Sequence, residues 1–369
     1  MKTVVIFSKR DIKNPMRGGG DTYVHEIAKG LAQKYKVIIL TIGYQGASPI
    51  EVIDGVEVHR IGFNITLGRF LLPLYFKRHF AKADLVIDSV TVIPWFSPLF
   101  ASHRNLMIFY QLVGDIFYQE LPPIVAHLAF LVEPPLYKIY KNTPIVTISP
   151  SSRDALASLG LSDSHLVHIV PPGIPSSLIQ QDKQRGIERE PIIICLSRVV
   201  AYKGIQYAVM ALPRIFKEVP EAKLIVIGKG PYLPKLIQLT NKLGLAQYVT
   251  FAGYLSEAEK IEMLKRARVL VFPSKREGWG INILEANAMK VPAVGWNSPG
   301  IKDTVRDDDT GFLVPLGNID LLADRVATLL TDNTCWNRIS HNAFTWAKEH
   351  TWENTRSNFT NVVENLIGR

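Results

Sequence analysis

The sequence predicts an α/β protein of two consecutive domains, each built on a parallel sheet. Three observations lead there. The chain has 369 residues, more than one hydrophobic core ordinarily holds. Short runs rich in Val and Ile alternate with segments of helical apolar spacing, which is the pattern of parallel strands joined by right-handed helical crossovers. That pattern breaks once, at the polar stretch 175–191, and then restarts.

The elements follow in order. Residues 4–7 read as a buried strand, followed by a polar loop that closes on Gly18-Gly19-Gly20. Val24, Ile27, Ala28 and Leu31 then fall on one helical face, and 37–41 returns to strand. Asp54-Gly55, between apolar runs at 50–53 and 56–61, carries the signature of a two-residue hairpin turn. The segment 64–84, "NITLGRFLLPLYFKRHFAKAD", reads as a crossover helix that Pro73 interrupts. Further strands are predicted at 85–87, 106–109, 144–148 and 167–170. The stretch 175–191 lacks apolar periodicity and reads as a linker. Beyond it, strands are predicted at 192–196, 224–227, 249–251, 269–272, 293–294 and 311–314. Domains are therefore expected at 1–185 and 186–349. Ligands of such sheets sit beyond the carboxyl ends of the strands, so two facing sheets predict one interdomain cleft.

Composition narrows the function. Hydrophobic content of 47% with 20% charged residues describes a globular chain. Cys195 and Cys335 provide neither a disulfide framework nor a paired metal spacing, which predicts a reducing, cytoplasmic setting. The apolar run 4–7 stops at Ser8-Lys9 and does not read as a signal peptide. The uncharged stretch 89–103 contains Pro94 and Pro98 and is too short to span a bilayer. Net charge is +9, and residues 1–83 hold 13 Lys/Arg against 6 Asp/Glu, an excess of seven. Such a basic first quarter calls for an anionic partner, either a phosphate-bearing ligand or an anionic membrane surface. No nucleic-acid recognition motif accompanies the charge. In 64–84, Phe70, Leu74, Lys77 and Arg78 are spaced to set cations beside an apolar strip, the pattern of a helix resting on the inner membrane face. The same spacing also suits an ordinary crossover helix.

Three segments carry chemistry. Gly18, Gly19 and Gly20 lie between strand and helix, where bare backbone amides and the helix start favour an anion. They do not form GxGxxG, which argues against a dinucleotide. In "CLSRVVAYKG", 195–204, Arg198 and Lys203 follow a strand end and suit a diphosphate, Arg as a fork and Lys as a point charge. In "REGWGINILEANAMKVPAVG", 276–295, Glu277 precedes a helix expected to start near Ile281, and Glu285 lies about one turn inside it. Gly278 and Gly280 let the loop pack tightly and expose the first helical amides, those of Ile281 and Asn282. Two carboxylates around a phosphate-binding helix start suit the hydroxyls of a nucleotide sugar.

The run Glu277-Gly-Trp-Gly-Ile-Asn-Ile-Leu-Glu285, followed by "ANAMKVPAVG", resembles the Glu-x7-Glu motif of glycosyltransferase family 4. "SRVVAYKG" is similar to that family's diphosphate segment. "VIGKGP", "VTFAGYLSEAEK" and "DTGFLVP" recur there in this order, and "MRGGGDTYVHEIAKGL" resembles its first glycine loop and helix. The resemblance implies the GT-B fold of two facing Rossmann-like domains. It also implies metal-independent, retaining transfer of a sugar from a nucleotide diphosphate sugar to an acceptor hydroxyl, with no cofactor. The acceptor would be a carbohydrate or a lipid-linked molecule. By the same resemblance Arg198 and Lys203 hold the donor diphosphate, Glu277 the sugar hydroxyls and Glu285 the ribose. The amides of Gly18 to Gly20, Ile281 and Asn282 meet phosphate or sugar, and the C-terminal segment 350–369 crosses back to the first domain.

Departures are equally specific. Where many members carry a histidine after the strand at 106–109, this chain has Tyr110 and Gln111, with Asp115 and Glu120 nearby. Lys290 stands where a glycine is usual. Asp307-Asp308-Asp309 reads as a solvated turn rather than a metal-binding DxD, and His25 and His103 read as helix or packing residues. Two alternatives stay open: a sugar-nucleotide epimerase or hydrolase, which can share the fold, and a non-catalytic sugar-nucleotide binding protein, which the missing histidine suggests.

Overall fold

The computed structural model describes residues 1–101, 104–161, 166–180 and 189–368. His103 lies outside these. The chain divides into two compact units, Met1–Pro172 with Trp352–Arg369, and Gly173–Thr351.

The first unit holds β1 (Thr3–Phe7), β2 (Lys36–Thr41), β3 (Ile50–Ile53), β4 (Val56–Arg60), β5 (Leu85–Val90), β6 (Arg104–Phe109), β7 (Ile145–Thr147) and β8 (Val167–Ile169). Its helices are α1 (Gly19–Leu31), α2 (Ile65–His79), α3 (Phe117–Glu120), α4 (Pro123–Tyr137) and α5 (Pro150–Ser158). The strands form one sheet in the order β3-β4-β2-β1-β5-β6-β7-β8. All neighbours are parallel except the β3–β4 hairpin. Its turn has φ of 50° at Asp54 and 80° at Gly55, the two left-handed residues that a type I′ turn requires. β1 is almost wholly apolar because both of its faces are covered. His25 is buried on α1, with Nε2 2.9 Å from Asp54. α2 runs unbroken through Pro73, contrary to the expected interruption. Leu72 and Phe76 anchor it on β1, β2 and β5, and this packing outweighs the lost backbone hydrogen bond.

The second unit holds β9 (Ile192–Leu196), β10 (Lys223–Ile227), β11 (Val249–Gly253), β12 (Val269–Phe272), β13 (Ala293–Trp296) and β14 (Gly311–Val314). Between them run α6 (Ser176–Gln180), α7 (Ile205–Ile215), α8 (Leu233–Lys242), α9 (Glu257–Arg266), α10 (Ile281–Ala288), α11 (Ile301–Thr304), α12 (Ile319–Thr331) and α13 (Asn333–Glu349). The sheet is wholly parallel in the order β11-β10-β9-β12-β13-β14. The chain therefore winds outward from β9, then reverses and winds the other way from β12. Ligands bind where such a reversal parts the strand ends, here between β9 and β12. Val209 and Leu212 of α7 join Val326 and Leu329 of α12 in one core with Ile193, Val226 and Val271.

The boundaries differ from those expected. The units change at 172/173 and 351/352, not at 185/186 and 349/350. α6 packs against α10 and α13 of the second unit, with Leu178 buried. Two adjacent apolar residues, Leu178 and Ile179, in a polar run give no periodic signal, so the segment read as linker. Residues 181–188 of that linker lie outside the described residues. The last helix, α14 (Trp352–Gly368), packs on α1, with Tyr23 edge-on to Phe359 at 6.4 Å. Lys2 and Arg104 both donate to the Ile367 carbonyl, at 3.2 and 2.8 Å.

Candidate functional site

Glycine brings two strand-end loops of the second unit together. Beyond β9 the chain makes a single 3₁₀ turn, Ala201–Lys203, and reaches Gly204 at φ +72°. A Cβ on Gly204 would fall 1.9 Å from the Pro273 carbonyl oxygen. Only glycine lets the loop after β9 rest on the start of the loop after β12. This contact sets Lys203 Nζ against Glu277 Oε1 in an ion pair, with both side chains almost nine-tenths buried. The ammonium also lies 5.6 Å from the Phe272 ring centre and 5.3 Å from that of Tyr202. Arg198, exposed at the end of β9, donates from Nη2 to the Tyr202 hydroxyl at 2.9 Å.

The loop that carries Glu277 is cradled from β13. Glu277 N–H donates to the Pro299 carbonyl at 3.0 Å. Gly300 has φ +80°, and a Cβ there would meet the Glu277 carbonyl oxygen at 2.1 Å. Trp279, between the half-buried Gly278 and Gly280, is itself buried, with its ring 5.4 Å from His350. Gly280 caps α10 at φ +111°. The helix thus opens with the amides of Ile281 and Asn282, among those that no helical carbonyl precedes. Asn282 Nδ2 donates to the Leu196 carbonyl at 2.6 Å and ties the helix start to the end of β9.

Glu285 lies on α10 and faces Lys260 of α9, whose Nζ is 3.0 Å away and also 2.8 Å from Glu257. Burial pushes the Glu285 carboxyl above its ordinary range, and Lys260 opposes that rise. Burial disfavours the Lys260 charge, but Glu285 and Glu257 outweigh it and leave its pKa raised. Lys260 escaped the sequence reading because a lysine on an amphipathic helix ordinarily points to water. Gly300 could have been suspected from its Pro-Gly turn.

In the first unit, Gly18 and Gly19 are exposed at the start of α1, and Gly18 N–H donates to Asp21 Oδ2 at 2.8 Å. Tyr110 is buried against the glycine loop. Its hydroxyl donates to the Gly20 carbonyl at 3.2 Å and lies 3.0 Å from Ser89 Oγ, while its ring sits 3.4 Å from where a Gly20 Cβ would be. Burial drives its pKa up. Gln111 follows it, half-buried. Asp115 falls in the turn Gly114–Ile116, and the preceding backbone is clamped by the buried Glu133 of α4. That carboxylate accepts from the amides of Val113 and Gly114, each at 2.8 Å.

Elsewhere, Asp307 Oδ1 accepts from Leu313 N–H, Asp308 pairs with Arg338 at 2.9 Å, and Asp309 accepts from Asn342. Among the described residues no group of three or more His, Cys, Asp or Glu is arranged to hold a metal ion. Lys290 has φ +56°, a left-handed conformation that glycine adopts without strain.

Two parallel-sheet Rossmann-like units, the second with charged side chains gathered at its strand-order reversal, make this a protein of the GT-B class. Residues 17–178 match the model described as Glycosyltransferase Family 4, and 179–346 match Glycosyl transferases group 1. The chain belongs to glycosyltransferase family 4. It is 30% identical, over 86% of its length and 87% of the relative's, to the GDP-mannose-dependent alpha-(1-6)-phosphatidylinositol monomannoside mannosyltransferase of Mycolicibacterium smegmatis. The protein of that name from Mycobacterium tuberculosis is 34% identical, and there the match spans 53% of this chain and only about half, 55%, of the relative. The fold is shared over the full length of both chains with sucrose-phosphate synthase from Thermosynechococcus elongatus, at a TM-score of 0.81 and 19% identity.

Proposed function

We propose that the protein transfers a sugar from a nucleotide diphosphate sugar to an acceptor hydroxyl, with retention at the anomeric carbon. The observation that carries this is the buried Lys203–Glu277 pair beside Arg198 at the strand-order reversal. Two cations and one carboxylate leave one net positive charge, suited to a diphosphate whose sugar reaches the carboxylate. Arg198 and Lys203 hold the diphosphate and take up charge as it leaves. Glu277 accepts hydrogen bonds from the sugar hydroxyls, and Glu285 from the ribose. The amides of Ile281 and Asn282 add donors at the helix start. The bond from the anomeric carbon to the phosphate oxygen breaks, and the acceptor oxygen bonds on the same face. The acceptor proton passes to the departing phosphate, so no protein base is required where Tyr110 replaces a histidine. A nucleotide diphosphate donor also accords with the GDP-mannose dependence in the names of the mycobacterial relatives.

Thermal unfolding in the presence of UDP-, GDP- and ADP-sugars tests donor binding, because a ligand of the folded state raises its stability. Incubation of the stabilising donor with candidate acceptors, followed by NMR of the anomeric proton, tests transfer. A new glycoside of the donor's configuration is expected. Free sugar or an epimerised nucleotide sugar as the only product would establish the hydrolase or epimerase alternative. Binding without any product would establish a sugar-nucleotide binding protein.

A further inference from the structure

Two helices of the first unit show apolar faces to solvent. On α2 and the residue before its N-cap, Phe63, Leu67, Phe70 and Leu74 are all exposed, Phe70 by 69%. Their spacing of four, three and four puts them on one stripe, and Lys77 and Arg78 continue it. On α4, Ile124, Val125, Leu128, Leu131 and Val132 are exposed, Ile124 by 78%. Their stripe also ends in exposed lysines, Lys138 and Lys141.

The two stripes lie on the same side of the sheet. α2 packs on Val86 and α4 on Val90, positions of β5 that share a face. One loop joins them: Arg69 Nη1 of α2 donates to the Pro94 carbonyl at 2.8 Å, and the Tyr137 hydroxyl of α4 donates to the Val92 carbonyl at 3.1 Å. Ile93, in that loop, is exposed as well. The inner faces of both helices already fill the core, through Leu72 and Phe76 on α2 and Tyr137 on α4, so the outer apolar residues are surplus to folding. Contiguous exposed apolar surface of this kind marks a site of association.

We propose that this face docks on the surface of an anionic lipid bilayer. Apolar side chains would enter the boundary between headgroups and acyl chains, while Lys77, Arg78, Lys82, Lys138 and Lys141 meet lipid phosphates. Charge selects a bilayer over a protein partner or a second copy. Neither α2 nor α4 carries an exposed carboxylate, those next to them in sequence are Asp84 and Glu120, and the positive excess of the chain is concentrated in residues 1–83. No helix among the described residues is long and apolar enough to cross a membrane, so the association is peripheral. The inference does not depend on the transferase reading. If that reading holds, the acceptor is one held at the bilayer surface.

The test is flotation of the full chain with vesicles of phosphatidylcholine alone or with 30% phosphatidylglycerol, without nucleotide sugar or acceptor. Binding to the anionic vesicles at about 50 mM salt is expected, weakening at 0.5 M. Lys77→Glu/Arg78→Glu should lower the partition constant on the order of 30-fold or more, and Leu128→Ser/Leu131→Ser should lower it comparably. Melting temperatures within about 2 °C of the parent would show both double variants folded. Absence of binding at low salt, equal binding to both vesicle types, or retention of binding by either folded variant would overturn the proposal. So would concentration-dependent dimerisation abolished by Leu128→Ser/Leu131→Ser, seen by sedimentation velocity, which would assign the face to a second copy. A parent chain that floats with anionic vesicles but transfers no sugar would instead count against the transferase reading alone.

Discussion

Lys203 and Glu277 stand 74 positions apart in sequence and form a buried ion pair at the adjoining ends of β9 and β12. Neither strand end determines the other. The pair exists because Gly204 lets one loop lie on the carbonyl of Pro273, while Gly300 leaves room for the backbone of Glu277.

That relationship predicts coupled losses. Lys203→Ala and Glu277→Gln should each lower kcat/KM on the order of 10²–10³-fold, as expected for a preorganised charge contact. The double variant should fall well short of the product of the two, because residues that act as a unit are non-additive. Steady-state kinetics with an identified donor decide the matter, and strictly multiplicative losses would dissociate the two roles.

Gly204→Ala should be costly. The new Cβ meets a backbone carbonyl and the residue must hold φ +72°, which together cost about 2–4 kcal/mol. Denaturant unfolding measures this, and a loss below about 1 kcal/mol would mean that the loop yields without strain.

Glu285 should show itself through pH. Its folded pKa is raised by burial, so the folded chain holds that proton to higher pH than the unfolded chain does. Ionising it therefore costs stability as pH rises through the folded pKa. A donor contact made by the carboxylate has the opposite requirement and is lost as pH falls through the same value. Lys260→Met removes the opposing cation, so the acidic limb of kcat/KM should move to higher pH. Stability near neutral pH should fall by about 1–3 kcal/mol, the cost of a buried polar group left unpaired. An unmoved limb would remove Glu285 from donor binding.

Lys290→Gly should stabilise. A left-handed L-residue costs about 1–2 kcal/mol, against about 0.5–1 kcal/mol for the greater unfolded freedom of glycine. A net gain of up to about 1 kcal/mol is expected in chemical denaturation. A loss of that size would show that the ammonium, 5.3 Å from the Phe344 ring centre, matters more than backbone strain.

The sequence by itself determined the architecture and the placing of charged residues at the ends of strands. Strands such as β1 and β9 are nearly continuous Val/Ile/Leu runs, legible because both of their faces are buried. The turn at Asp54-Gly55 was legible because few residue pairs tolerate two positive φ angles. Glu277, Arg198 and Lys203 were legible as charged groups at strand ends, through residue type and position alone. Tertiary structure decided what no local pattern encodes. Lys260 faces Glu285 because α9 and α10 bring the two together. Tyr110 became a support for the glycine loop because Ser89 and the Gly20 carbonyl surround its hydroxyl. Pro73 stays helical because Leu72 and Phe76 hold α2 to the sheet. The units change at 172/173 because α6 finds its apolar partners on α10 and α13. Periodicity reports which face of an element is apolar. Which distant element covers that face, and whether any does, is settled only when the whole chain packs.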